Sequence, residues 1–153
     1  DVEVDLVLGM NHQPGLLVIT DRASLKTSLT KIQTKASARI AKDIIRKMKP
    51  CENWIKTMTY DNDMAFTRHQ KINEVLGTKS FFTHPYTSQD KGTVENRIGV
   101  IRRFFPKKTD FTKVTHQQVK QVEKMINERP VRKFKYQTPN TVFLQKLKVA
   151  LID

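Results

Sequence analysis

Apolar and polar residues alternate at the start of the chain, and this period of two predicts a β-strand. Apolar side chains occupy the even positions from Val2 to Leu8, and Glu3, Asp5 and Val7 lie between them. The alternation begins at once, with no preceding loop. We therefore expect residues 1–153 to be a single domain cut from a longer protein.

The rest of the chain mixes strand and helix periods. A turn cluster at residues 11–15 favours a hairpin meander at the start, and Pro50 and Gly77 are typical of helix ends. Pro139 has the position expected of a first helical residue, and Thr87 with Asp90 has capping-box spacing. Further strands are predicted at 16–20, 25–32, 55–60 and 79–83, and helices at about 34–49, 65–76, 94–105, 115–128 and from 138. This order predicts an α/β fold with a mixed five-stranded sheet flanked by helices.

Composition narrows the class of protein. The chain has 153 residues, 38% of them hydrophobic, which is enough for one ordinary core. Its longest apolar run, 16–19, is far too short to cross a bilayer, so we expect no membrane partner. Cys51 is the only cysteine and the four histidines are scattered, which argues against a thiolate or histidine metal site.

The charge is strongly positive and lies late in the chain. The net charge is +13, and 13 of the 28 basic residues but only 4 of the 15 acidic ones follow position 100. For any single basic cluster, a solvated surface is the better explanation. The summed charge favours a nucleic-acid partner, which binds such clusters through counterion release.

Three acids lie where a carboxylate needs an explanation. Asp5 is in the middle of a half-buried strand, and Asp61 directly follows another strand, where side chains reach the crevice of an open α/β sheet. Glu95 lies beside the apolar stripe of a helix, one turn before Gly99, whose missing side chain would permit close approach to the sheet. The three carboxylates can converge on one site. Because the chain has 15 acids, the three can also be unrelated surface residues.

Longer segments resemble a known family. VEVDLVLG (2–9), TYDNDMAF (59–66), FFTHPYTSQDKGTVENRIGVIRRFFPKKTDF (81–111) and NERPVRKFKYQTPNTVF (127–143) are similar, in order and content, to the catalytic core of insertion-sequence transposases of the IS-thirty family. The 33 residues between the second and third acids also resemble the spacing in DDE transposases and retroviral integrases.

The resemblance implies a ribonuclease-H-like fold and a metal-dependent activity. It matches Asp5, Asp61 and Glu95 to the three catalytic acids, which would cleave DNA and then join a 3′-hydroxyl to target DNA. Two divalent ions, Mg²⁺ or Mn²⁺, are implied, with Asp5 shared between them. Asn62 and Asn96 match neighbouring positions that orient the site. The implied partners are transposon-end and target DNA and further copies of the chain, in the cytoplasm of a bacterium at the nucleoid.

Basic residues near the third acid are candidates for DNA phosphate contacts. Arg102 follows Glu95 by seven residues, about two helical turns, and therefore lies on nearly the same face. We expect the DNA-binding residues to be Arg97, Arg102, Arg103, Lys107 and Lys108. The paired phenylalanines at 81–82 and 104–105 are expected in the core rather than stacked on bases.

Some positions depart from the family pattern. Relatives commonly have Gly at Asp63, an acid at Ala65 and Arg at Lys91. Asp63 either adds a spare carboxylate near the metals or closes the turn by accepting backbone hydrogen bonds. Two other functions stay open: a ribonuclease-H-like nuclease that only hydrolyses, and a cationic nucleic-acid-binding module without chemistry.

Overall fold

A mixed five-stranded sheet forms the centre of the molecule. The computed structural model describes residues 1–84, 87 and 91–150. The strand order is β3-β2-β1-β4-β5; β1 is antiparallel to β2 and parallel to β4, and β5 is parallel to β4. The strands are β1 (Val2–Leu8), β2 (Pro14–Asp21), β3 (Thr27–Lys31), β4 (Thr57–Tyr60) and β5 (Lys79–Phe82). The predicted sheet is thus confirmed.

Helices cover both faces of the sheet. They are α1 (Ser37–Met48), α2 (His69–Leu76), α3 (Gly92–Ile101), α4 (His116–Glu128) and α5 (Pro139–Ala150). Gly77 ends α2 in the left-handed conformation, and Pro139 is the first residue of α5, both as predicted. The predicted capping box before α3 includes Asp90, which lies outside the described residues.

The strand alternation divides the core into two clusters. Val2 and Val4 of β1 pack with α1 and α2 on one face, whereas Val7 packs with α3 and α4 on the other. Glu3 and Asp5 share the side of Val7 and therefore face α3. The polar residues of β1 are thus directed at the helix that carries Glu95.

Two expectations about packing are wrong. Phe81 and Phe82 are 52% and 38% exposed, because β5 is an edge strand, although the Phe82 ring contacts Tyr60 and His69. Of the other predicted pair, Phe105 is buried and Phe104 is exposed. A Cβ atom built on Gly99 meets nothing within 4 Å, so this glycine does not permit a close approach to the sheet.

Within the described part of the chain, no helix is long and apolar enough to cross a membrane.

Asp63 closes the turn after β4. Its Oδ1 accepts a hydrogen bond from the Ala65 N–H at 2.9 Å, and its Oδ2 pairs with Lys35. Burial acts to raise the pKa of Asp63, but the Lys35 and Ala65 hydrogen bonds outweigh it and lower the pKa below its usual value. Turn closure therefore uses one carboxylate oxygen, and the ion pair with Lys35 uses the other.

Replacing Asp63 tests this role. Because the folded-state pKa is lowered, the stabilisation by Asp63 is present above its unfolded pKa and is lost as the pH falls through the folded value. We expect Asp63→Ala to reduce the free energy of unfolding by about 1 kcal/mol at pH 7, with Asp63→Asn losing less because its amide oxygen still accepts from Ala65. Urea unfolding should show the Asp63→Ala penalty shrinking as the pH is lowered below 4; a penalty unchanged by acid would contradict the assignment.

Candidate functional site

Two of the three candidate acids are neighbours in the sheet. Parallel β1 and β4 pair Glu3 with Thr59, and continuing this register by two residues places Asp61 beside Asp5. The buried Tyr60 belongs to the cluster on the opposite face, so Asp61 follows β4 on the side that faces α3. Strand alternation and sheet order thus bring the two carboxylates to the same edge.

Glu95 joins them from the first turns of α3. Asp5, Asp61 and Glu95 all line one open cavity of about 220 Å³, together with Thr83, His84, Thr87 and Lys91. Asp5 is half-buried and Glu95 is exposed, so the cavity opens to solvent on the helix side. Three acids that are far apart in the sequence therefore share one site.

Lys91 lies between the two strand acids. Its Nζ is 3.1 Å from Asp5 Oδ2 and 3.7 Å from Asp61 Oδ2, and it donates to the backbone oxygen of Val4 at 3.2 Å. The residue is only 4% exposed. Its ammonium group therefore balances the negative charge at the strand end of the cavity.

The environment of Asp5 is unfavourable to its charge. Burial raises the pKa of Asp5 above its usual value, and the Asp61 carboxylate adds to the rise. The Lys91 ammonium and the Leu6 N–H, which donates to Oδ1 at 2.7 Å, oppose this effect without cancelling it. Asp5 is thus held with much of its hydration removed, as expected of a group that needs a cationic partner.

The donor set suits a hard divalent cation. Carboxylate oxygens are the ligands preferred by Mg²⁺ and Mn²⁺, and all three acids face the same cavity. Among the described residues, however, no three His, Cys, Asp or Glu side chains are arranged as a metal-binding group. The acids therefore line the cavity without closing around a single point.

The two asparagines predicted to orient the site have different surroundings. Asn62 donates from Nδ2 to the backbone oxygen of Thr83 at 3.1 Å, which ties the loop after β4 to the end of β5. Asn96 is exposed on α3 and is not among the residues that line the cavity. Of these two asparagines, Asn62 is the one that makes a contact from the loop carrying Asp61, within the described part of the chain.

Arg97 does not lie on a DNA-accessible surface, which corrects the expected phosphate contact. It is 5% exposed, its Nε donates to Thr27 Oγ1 at 3.1 Å, and its terminal nitrogen donates to Ile126 O at 2.9 Å. Arg97 follows Glu95 by two residues, about 200° around the helix, and so points away from the cavity. It instead joins α3 to β3 and α4.

The other basic candidates lie near the end of α3. Arg102, Lys107 and Lys108 line a cleft of about 680 Å³ together with residues 8–12. Arg102 also donates hydrogen bonds to Leu8 O at 2.9 Å and to Pro106 O at 3.3 Å. It therefore holds the wall of the cleft in place and adds a positive charge to it. Arg103 is exposed and is not among the residues that line this cleft.

Sequence reasoning missed the roles of Lys91 and Glu3. Lys91 directly precedes α3 and lies four residues before Glu95. Glu3 is fully buried two residues before Asp5, on the same side of β1. The sequence did contain a signal for Glu3, namely a second acid inside the strand, because a buried carboxylate requires partners.

Sequence comparison finds transposases. No protein-family model matches the chain. It is 37% identical over 145 residues to the transposase for insertion sequence element IS4351 of Bacteroides fragilis, and 30% identical over 152 residues to the transposase InsI for insertion sequence element IS30A of Escherichia coli K12. These matches cover 95% and 99% of the chain. The chain spans only 44% and 39% of the length of these two relatives.

Structure comparison finds retroviral integrases. The catalytic core domain of BIV integrase matches with a TM-score of 0.73 at 15% identity, covering 98% of this chain and 97% of that one. A chain of the simian T-cell lymphotropic virus intasome in complex with PP2A regulatory subunit B56 gamma matches with a TM-score of 0.74 at 17% identity, covering 92% of this chain and 52% of that one. The resemblance found in the sequence is thus confirmed: the homologues of this chain are transposases of IS30 and related insertion sequences, and its fold is the ribonuclease-H-like fold of retroviral integrase catalytic cores.

Proposed function

We propose that this chain is the catalytic core domain of a DNA transposase, in which Asp5, Asp61 and Glu95 are the catalytic acids. The observation that carries the proposal is the convergence of these three carboxylates, from β1, the end of β4 and α3, on one open cavity. The transposase relatives support DNA as the substrate, and their greater length supports a core that is part of a longer protein.

The three acids would hold divalent metal, Mg²⁺ or Mn²⁺, because carboxylate oxygens are donors that suit these ions. Bound in pairs, such ions supply Lewis acidity for in-line displacement at phosphorus. Asp5 would be the ligand shared by both ions, because it is half-buried and lies beside Asp61 in the sheet register. Lys91 limits the repulsion between these two carboxylates, and Asn62 holds the loop that positions Asp61.

The cleft lined by Arg102, Lys107 and Lys108 would hold the DNA backbone. It begins at Leu8, three residues beyond Asp5 on β1, and Arg102 follows Glu95 by two helical turns. Glu95 lies at the start of α3 and Arg102 just after its end, so the cleft follows the cavity along the helix at a distance of about 10 Å. Exposed lysines at this place bind phosphate without reading sequence.

Two copies of the chain assembled on DNA would place two such sites at two DNA ends. The intasome match concerns an assembly of a related fold and supports this proposal only as an analogy. A hydrolytic nuclease remains the second candidate, because the same three carboxylates suit hydrolysis equally well.

Removing any one acid tests the catalytic assignment. We expect Asp5→Asn, Asp61→Asn and Glu95→Gln each to reduce Mn²⁺-dependent cleavage by about a thousandfold or more, because each removes a charged ligand. DNA binding, measured by fluorescence anisotropy, should persist in all three. Glu74→Gln is the matched control, since Glu74 is an exposed acid on α2, on the other face of the sheet.

Two results of this test decide between the functions. Wild-type protein given a pre-cleaved 3′ end should join it to target DNA, whereas a purely hydrolytic nuclease yields no joined product. Cleavage that persists in all three acid variants would contradict the assignment and leave a cationic binding module.

The basic cleft makes a separate prediction for DNA affinity. Lys107→Gln combined with Lys108→Gln should weaken DNA binding and lower the slope of log affinity against log salt by about 1 to 2, because two phosphate contacts are lost. Lys42→Gln combined with Lys71→Gln removes the same charge from α1 and α2 and should have a smaller effect. Equal losses in the two double variants would show that the general charge, and not the cleft, binds DNA.

A further inference from the structure

Glu3 is a buried acid with a contact to the helix of the third catalytic acid. It is 0% exposed, and its Oε2 accepts a hydrogen bond from the backbone N–H of Val94 at 2.7 Å. Its Oε1 lies 3.1 Å from Arg22 Nε as an ion pair, but makes no hydrogen bond of good geometry among the described residues. One carboxylate oxygen is therefore committed to helix α3.

The first turn of α3 needs such an acceptor. The first backbone N–H groups of a helix have no partner within the helix, and a buried one is costly. Lys91, the residue that precedes α3, does not cap it with its side chain in the described part of the chain. Glu3 supplies the missing acceptor from the neighbouring strand, and its negative charge lies at the positive end of the helix dipole.

This contact joins the neighbours of two catalytic acids. Val94 directly precedes Glu95, and Glu3 precedes Asp5 by two residues on the same side of β1. Lys91 makes a second tie, since its Nζ donates to Val4 O of the same strand. Both bonds thus tie the start of α3 to the residues of β1 that directly precede Asp5.

We infer that Glu3 is a positioning residue, which caps α3 from β1 and thereby sets the place of Glu95 relative to Asp5. This inference rests on the proposed function, in which Glu95 is a metal ligand. Glu3 is not itself a ligand, because it is fully buried and is not among the residues that line the cavity.

Mn²⁺ affinity, measured by calorimetry, distinguishes positioning from general stability. Glu3→Met keeps the side-chain length but removes the acceptor, and should weaken Mn²⁺ binding about tenfold or more. Glu3→Gln retains an oxygen for the Val94 N–H and should stay within about threefold of wild type. The side chain in Glu3→Asp is one methylene too short to reach the Val94 N–H, so this variant should bind Mn²⁺ as weakly as Glu3→Met. It therefore replaces Glu3→Met in the test if the Met variant does not fold.

Glu123 provides a matched control. Its Oε2 also accepts a backbone hydrogen bond, from Leu29 at 2.6 Å, and pairs with Lys47, but it joins α4 to β3 away from the cavity. Glu123→Met should lower stability without weakening Mn²⁺ binding. Equal Mn²⁺ losses in Glu3→Met and Glu123→Met would overturn the inference, as would a Glu3→Gln variant as defective as Glu3→Met.

A second readout separates failure of this inference from failure of the proposed function. If Glu95→Gln does not weaken Mn²⁺ binding, the proposed function fails, whatever Glu3 does. Amide hydrogen exchange in the first turn of α3 still tests Glu3: it should quicken in Glu3→Met and Glu3→Asp and stay slow in Glu3→Gln. Unchanged exchange at Val94 and Glu95 in Glu3→Met would overturn the positioning role.

Discussion

The attachment of α3 to the sheet by buried charged side chains is the constraint on which the site depends. Three such groups and the half-buried Arg102 make the attachment, from the residue before the helix to the residue after it. They are Glu3, which accepts from Val94; Lys91, which donates to Val4; Arg97, which donates to Thr27 and Ile126; and Arg102, which donates to Leu8. A buried charge stripped of its partner is strongly destabilising, so each contact restricts the helix to one position. Apolar packing alone would tolerate a shift of the helix along the strand more readily.

The same constraint explains why acids are tolerated in the central strand. β1 is covered on both faces, and its Val2, Val4 and Val7 are buried. Glu3 faces α3 beneath the helix start, where N–H groups and Arg22 meet its charge. Asp5 lies one strand repeat further on, at the cavity, where Lys91 is its cationic neighbour. Along one strand, a buried carboxylate that caps α3 is thus followed by one that lines the cavity.

Local patterns were sufficient to predict the elements, and the family resemblance anticipated the fold. The period of two in β1, the left-handed Gly77 and Pro139 at the start of α5 each act within a few residues, so the sequence shows them directly. The sequence also indicated Asp5 inside one strand and Asp61 directly after another, and the two line one cavity because β1 and β4 are neighbours in the sheet.

The errors come from contacts between distant segments. Arg97 was expected on DNA, yet it lies three residues after Val94 and four before Ile101, within the buried stripe of α3. Its burial depends on acceptors from β3 and α4, which no local pattern reveals. The exposure of Phe81 follows from the edge position of β5, which depends on the strand order of the whole sheet.

A crystal of this chain soaked with Mn²⁺ and measured for anomalous scattering tests the central claim most directly. We expect an anomalous peak in the cavity, within coordination distance of Asp5, Asp61 and Glu95, and a shift of the Lys91 ammonium away from the two strand acids. Manganese bound elsewhere, with these three carboxylates unliganded, would contradict the assignment of a metal-dependent active site.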